Sequence, residues 1–203
     1  LNVLIVSGDG DFLSIGAEHI GPQAKRNIDV TAVIMDNGVY GLTKGQASPT
    51  TEIEVITSTT PYGKLDDPSS PLETYLAAGV SFLASTLSTQ VKAMQQLITE
   101  AMEYPGFSIV HIQSPCTTYN DTYAALKGNE KEGITPMAYP IDEGHDAGDI
   151  DSAYRLARDS RIPVGLIYKK EGSIPAHERL NLARERIGVK QKSVEELFQS
   201  MVI

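Results

Sequence analysis

The sequence predicts an α/β fold built on a doubly wound, mostly parallel sheet. Three observations carry the prediction. β-branched apolar runs recur along the chain, segments of helical period separate them, and glycine-bearing turns follow the first two runs. At 203 residues the chain suffices for one ordinary α/β domain with a full core.

The elements follow in order. Val3-Leu4-Ile5-Val6 gives a strand over 2–7, a helical pattern covers 14–26, and Val30-Thr31-Ala32-Val33-Ile34 gives a second strand over 29–36. After a long loop at 37–70 come a helix at 71–79, a strand near 80–84 and an amphipathic helix at 88–104. In that last helix Val91, Met94, Leu97, Ile98, Ala101 and Met102 recur at helical spacing, and Tyr104-Pro105-Gly106 stops it. Phe107–Ile112 reads as a strand, 151–161 as a helix, and Val164–Tyr168 as the last strand. Segments 37–70 and 117–150 are too long for ordinary connections, and the first is expected to cover a site. The division expected is a domain over 1–170 and a charged helical extension over 171–203 that serves as a surface or subunit-docking element.

Composition excludes several classes. With 41 % hydrophobic and 21 % charged residues the chain reads as globular, and a net charge of −9 argues against nucleic acid or an anionic membrane as partner. No apolar run is long enough to span a bilayer. One cysteine excludes an internal disulfide and fits a reducing, cytoplasmic setting. The chain opens directly in an apolar strand, without an initiator Met or signal peptide, which reads as the start of a core strand in a piece of a longer subunit.

The chemistry concentrates after the first two strands. Gly8-Asp9-Gly10 follows the first, and Asn37, in Met35-Asp36-Asn37-Gly38-Val39-Tyr40-Gly41, follows the second. Parallel strands joined by a helix bring Asp9 and Asn37 to the same sheet edge, where open α/β sheets bind ligands. Two hard side-chain oxygens plus turn carbonyls suit Mg2+. Either turn alone is ordinary, since Asp-Gly and Asn-Gly are common turn signals. A nicotinamide fingerprint would need Gly or Ala where the chain has Leu13, and there is no Gly-Lys-Ser/Thr phosphate loop.

The paired turns resemble the diphosphate-binding motif of thiamine diphosphate enzymes. The loop Val39-Tyr40-Gly41-Leu42-Thr43-Lys44-Gly45-Gln46-Ala47-Ser48-Pro49-Thr50-Thr51 narrows the resemblance, together with Asp11, Ile15-Gly16, His19, Arg26-Asn27 and Ser114-Pro115-Cys116-Thr117-Thr118-Tyr119-Asn120. These blocks, spread over roughly residues 1–170, resemble the β subunit of 2-oxoacid:ferredoxin oxidoreductases. The resemblance implies a thiamine diphosphate-binding fold of the diphosphate type. It implies oxidative decarboxylation of a 2-oxoacid, transfer of the acyl group to coenzyme A, and electrons passed through a [4Fe-4S] cluster to ferredoxin. The partner would be the α subunit, which supplies the activating glutamate.

Carried onto this chain, the resemblance makes Asp9, Asn37 and the Val39 carbonyl ligands of Mg2+. It places Gly8, Gly10, Asp11, His19, Tyr40, Gly41, Leu42 and Thr43 against the cofactor, with Ser48, Thr50 and Thr51 as polar contacts. Asp11 is also expected to cap the following helix. Lys44 looks like the 2-oxoglutarate-using branch rather than the pyruvate branch, because an ammonium can meet a distal carboxylate; its other reading is a solvated loop lysine. Cys116 resembles one cluster thiolate, but a cluster needs four, and a lone Cys after a strand also reads as packing. His19 has an ordinary hydrogen-bonded reading beside its cofactor one. His111 is expected to be structural, and His145 and His177 exposed. The rival functions are a non-redox thiamine diphosphate decarboxylase or synthase, and a non-catalytic piece inactive without its partner.

Overall fold

The computed structural model describes residues 2–188 and 192–201. The last few residues of the expected extension, and 189–191, lie outside the described residues.

A six-stranded mixed sheet organises the chain. Its strands are β1 (Leu4–Gly8), β2 (Val30–Asp36), β5 (Phe82–Leu87), β6 (Phe107–Gln113), β7 (Ala138–Pro140) and β8 (Ile162–Lys169), in spatial order β1-β2-β6-β5-β8-β7. β1, β2, β6 and β5 are mutually parallel, whereas β8 runs antiparallel to β5, and β7 follows β8. A separate antiparallel pair, β3 (Val39–Tyr40) with β4 (Gln46–Ala47), folds inside the long segment after β2.

Helices cover both faces because each central strand alternates two apolar sets. On one face Ala32, Ile34, Leu83, Ile109 and Ile167 pack with Ile20 and Ala24 of α1 (Ala17–Arg26), Tyr75 and Leu76 of α2 (Pro71–Ala78), and Ala153 and Ala157 of α5 (Ile150–Ala157). On the other, Val33, Ala84, Val110 and Ile112 meet Leu97 and Ala101 of α3 (Val91–Glu103). α3 buries the stripe its sequence periodicity marks. A short helix α4 (Tyr123–Lys127) lies in the segment before β7, and α6 (Ala176–Arg186) and α7 (Val194–Met201) end the chain.

Several expectations change. β1 is an edge strand rather than a core strand, with Val3 to Val6 between 43 and 64 % exposed. An unbroken apolar run reads as buried from sequence, but exposure depends on which neighbours flank it. The helix expected at 14–26 begins as a π-helical turn, Asp11–Ile15, closed by a 2.7 Å bond from Gly16 N–H to the Asp11 carbonyl. Gly10 already has helical dihedrals, so no extended residue remains for a capping carboxylate, and neither helical start carries a side-chain cap bond. Asp11 therefore does not cap. His145 is half-buried rather than exposed: Nε2 pairs with the Ile167 carbonyl at 2.8 Å and Nδ1 with Ser152 Oγ at 3.1 Å. His177 is exposed as expected. No helix among the described residues is long and apolar enough to cross a membrane.

Candidate functional site

The site forms where β1 and β2 end together. Their parallel register pairs Gly8 with Met35, so the next residues of each strand, Asp9 and the Asp36-Asn37 turn, emerge side by side. Asp9 is 1 % exposed, and its Oδ1 accepts the Asn37 backbone N–H at 3.2 Å. Asn37 Oδ1 accepts from the Val39 N–H at 3.0 Å, which folds the turn so that the Asn37 side chain and the buried Val39 backbone share one corner. Gly38 at φ +68° permits this turn, and the Asn120 amide donates to the Asn37 carbonyl at 3.0 Å.

Gly10 is required by contact. A Cβ there would lie 2.3 Å from the Tyr40 ring, and the Tyr40 hydroxyl donates to the Gly10 carbonyl at 2.9 Å. This packing ties the first glycine turn to β3. At Gly8 a Cβ would meet only the Met35 carbonyl, at 4.0 Å, so backbone is open to approach there.

Below the turn lies a buried polar row. Asp36 accepts from Gly38 N–H at 3.0 Å on Oδ1, and its Oδ2 meets His111 Nε2 at 3.0 Å and Gln113 Nε2 at 3.3 Å. The Tyr75 hydroxyl meets the other nitrogen of His111, Nδ1, at 3.3 Å. The Thr50 hydroxyl sits between the carboxylates, 2.9 Å from Asp9 Oδ2 and 2.8 Å from Asp36 Oδ1. Asp36, Thr50, Ser85, His111 and Gln113 border a cavity of about 410 Å3 that opens between the start of α2 and the loop before β8.

The two carboxylates differ electrostatically. Burial, reinforced by the negative charge of Asp36, raises the Asp9 pKa despite hydrogen bonds from Ser48, Thr50 and the Asn37 N–H. Burial also pushes Asp36 upward, but the hydrogen bond and charge of His111, with bonds from Thr50 and Gly38, outweigh it and hold that carboxyl below its ordinary value. Among the described residues no lysine or arginine pairs with Asp9. A buried carboxylate without a cationic partner among the described residues, held against the Asn37 turn, is a hard-oxygen site whose charge a divalent cation would relieve.

The structure thus brings together Gly8, Asp9, Gly10, Asn37, Val39 and Tyr40. Gly41 and Cys116 adjoin them, since a Cβ on Gly41 would lie 3.9 Å from Cys116 Sγ. Leu42, Thr43 and Lys44 form the exposed tip between β3 and β4, with Lys44 at φ +84°. Asp11 and His19 are exposed. Ser48, Thr50 and Thr51 turn inward: the Ser48 N–H donates to Thr51 Oγ1 at 2.8 Å, and Thr51 donates to the Gly38 carbonyl. Sequence reasoning missed Asp36 and Gln113, and gave His111 no part in the site. The signal was a polar pair in two apolar strands, legible only once β2 and β6 are known to pair Asp36 with Gln113 and Ile34 with His111. It also missed Lys64, buried with Nζ donating to the Asp66 carbonyl at 2.6 Å.

Comparison with known proteins gives two consecutive family matches. Residues 1–112 match the thiamine pyrophosphate enzyme C-terminal TPP binding domain. Residues 116–185 match the C-terminal region of the pyruvate ferredoxin oxidoreductase β subunit. Among curated proteins, the chain is 33 % identical over 191 residues to the 2-oxoacid:ferredoxin oxidoreductase subunit β of a Sulfolobus species, covering 88 % of this chain and 60 % of that protein. It is 40 % identical over 119 residues to the 2-oxoglutarate synthase subunit KorB of Archaeoglobus fulgidus, covering 59 % of this chain and 45 % of the relative. A solved 2-oxoglutarate:ferredoxin oxidoreductase from Magnetococcus marinus, with 2-oxoglutarate, coenzyme A and succinyl-CoA bound, superposes with a TM-score of 0.83 at 36 % identity. That match covers 98 % of this chain and 68 % of the other. The chain spans about 60 % of the length of the first curated relatives it matches.

Proposed function

Because this chain belongs to the β-subunit family of the 2-oxoacid:ferredoxin oxidoreductases, with a thiamine diphosphate-binding domain in its first 112 residues, we propose that it forms the diphosphate-holding half of an active site that oxidatively decarboxylates a 2-oxoacid to an acyl-CoA. The observation that carries this reading is the meeting of Asp9 and Asn37, joined by the 3.2 Å bond from Asn37 N–H to Asp9 Oδ1.

Bound thiamine diphosphate supplies the nucleophilic carbon and the electron sink for decarboxylation. Asp9, Asn37 Oδ1 and the Val39 carbonyl would hold Mg2+, and the Asp9 charge would offset part of the metal's. Gly8 leaves backbone open to the diphosphate, and Gly10, whose side-chain space the Tyr40 ring fills, is proposed to meet the cofactor with its backbone in a turn that Tyr40 fixes. Gly41, Leu42 and Thr43, with Asp11 and His19 on the adjoining helical turns, complete the proposed cofactor surface. Lys44 is the residue proposed to meet the distal carboxylate of 2-oxoglutarate; its exposed position at the loop tip supports that role.

Cys116, half-buried beside Gly41, is proposed as one thiolate of the iron–sulfur cluster. With one cysteine in its sequence the chain does not fit a whole [4Fe-4S] cluster, which takes four. The remaining thiolates and the activating glutamate are assigned to other parts of the complete enzyme, with ferredoxin as electron acceptor. The match of residues 116–185 to an oxidoreductase β-subunit model supports this chemistry over a non-redox decarboxylase.

Calorimetric titration with thiamine diphosphate and Mg2+, on wild type beside Asp9→Ala and Asn37→Ala, tests the reading. Magnesium-dependent binding by wild type and its loss in both variants is expected. Binding indifferent to both substitutions would overturn the assignment of the metal corner.

A further inference from the structure

Resting on the metal-site reading above, we propose that Thr50 is a positioning residue that sets the aim of Asp9 toward the cation, by bridging it to the anchored carboxylate of Asp36.

Hydrogen-bond capacities make the case. An ionised carboxylate accepts about four hydrogen bonds. Asp36 has three donors besides Thr50: Oδ1 takes Gly38 N–H at 3.0 Å, and Oδ2 takes His111 at 3.0 Å and Gln113 at 3.3 Å, so the one Thr50 hydroxyl hydrogen, 2.8 Å from Asp36 Oδ1, is free to turn to Asp9. His111 is held in turn by Tyr75, and both are almost wholly buried. Asp36 is thus a fixed post driven into the core.

Asp9 has the opposite character. Among the described residues its oxygens have two close partners, Asn37 N–H at 3.2 Å and the Thr50 hydroxyl at 2.9 Å, with Ser48 a weaker third. The remaining lone pairs are those a metal would use. Thr50 is the near partner of Oδ2 among the described residues, so the Thr50 bridge sets where the carboxylate plane points. Thr50 itself is fixed by the Ser48–Thr51 turn, whose Thr51 hydroxyl binds the Gly38 carbonyl within the metal turn. The bridge therefore joins the 48–51 turn, the Asn37 turn and the Gly8–Gly10 turn at one hydroxyl.

This departs from a direct cofactor contact for Thr50. A hydroxyl 2.9 Å from one carboxylate and 2.8 Å from another acts through Asp9. Carboxylates that ligate metals are commonly hydrogen-bonded from behind, and loss of such a partner lowers metal affinity about 10- to 100-fold.

The test uses the complete enzyme, stripped of metal and saturated with thiamine diphosphate, and titrated with Mn2+ as the probe. Free Mn2+ is followed by electron paramagnetic resonance, a readout independent of turnover. Thr50→Val keeps the shape and removes the hydroxyl; Thr50→Ser restores it. The expected result is a dissociation constant raised about 10- to 100-fold in Thr50→Val and near wild type in Thr50→Ser, with the metal-free melting temperature of Thr50→Ser unchanged. Tight Mn2+ binding by Thr50→Val would overturn the positioning role alone. Equal weakening in both variants would also overturn it, because the hydroxyl would not be the cause. A wild-type enzyme that binds no Mn2+ would overturn the metal-site reading and this inference together.

Discussion

Tyr75 shows how one buried phenol links the core to the site. Burial pushes its pKa well above the ordinary value of 10.0, and the negative charges of Asp36 and Asp9 add to the shift. The folded chain therefore keeps this proton at pH values where the unfolded chain releases it. With fewer protons on the unfolded state, stability falls as pH rises, so Tyr75's contribution is complete below about pH 10 and is lost progressively above it. The slope for one proton is about 1.4 kcal/mol per pH unit. Tyr75→Phe is expected to reduce the alkaline slope of urea-unfolding free energy by about one proton's worth, although Tyr104, Tyr139 and Tyr168 are raised too and keep part of it. An unchanged slope would show that Tyr75 is not held protonated by the fold. None of this was legible beforehand. Tyr75 lies on a predicted helix, but its partner His111 comes from a strand 36 positions later.

At the scale of elements, the opposite end of the sheet is pinned by Asn27. It ends α1 in a left-handed conformation, φ 52° and ψ 54°. Its Oδ1 accepts from the Phe107 N–H at 3.0 Å and from Ser81, and its Nδ2 donates to Ser173 Oγ at 2.9 Å and the Ile174 carbonyl at 3.0 Å. One side chain thus joins the starts of β6, β5 and α6. Asn27→Gly keeps the backbone preference and removes these bonds, and is expected to cost about 1–3 kcal/mol through the orphaned Phe107 N–H. Asn27→Ala is expected to cost about 1 kcal/mol more, from the strained left-handed conformation. Chemical denaturation measures both, and equal costs would remove the backbone share of the argument. Helices with a long stripe, such as α3, were legible because burial on one face imposes a period, and strands such as β2 and β6 because burial on both faces leaves a near-continuous apolar run. β3 and β4, of two residues each, and β7, of three, are too short to carry a period. The π-helical turn is invisible to a pattern read at 3.6 residues.

Over the whole molecule, the juxtaposition of Asp9 and Asn37 followed from chain order alone: parallel neighbours joined by a helix must end at the same edge. The direction of β8 did not follow. An apolar run has no polarity, and its antiparallel pairing with β5 depends on a connection that crosses β7 first. Nor did the placement of β1 at the sheet edge, with β2 alone beside it. In this chain that placement leaves the Asp9 side of the proposed site the less firmly held. Asp9 hangs from a strand with one neighbour, whereas β6 lies between β2 and β5. Amide hydrogens in such a strand exchange through local openings well below the global unfolding free energy. A ligand held by both Asp9 and Asn37 would fasten β1 to β2, adding about 2.7 kcal/mol against opening at one hundred times its dissociation constant. Deuterium uptake across Leu4–Gly8 should slow in step with cofactor saturation while β6 stays unchanged. In this chain the edge strand is then a gauge of how full the proposed cofactor site is.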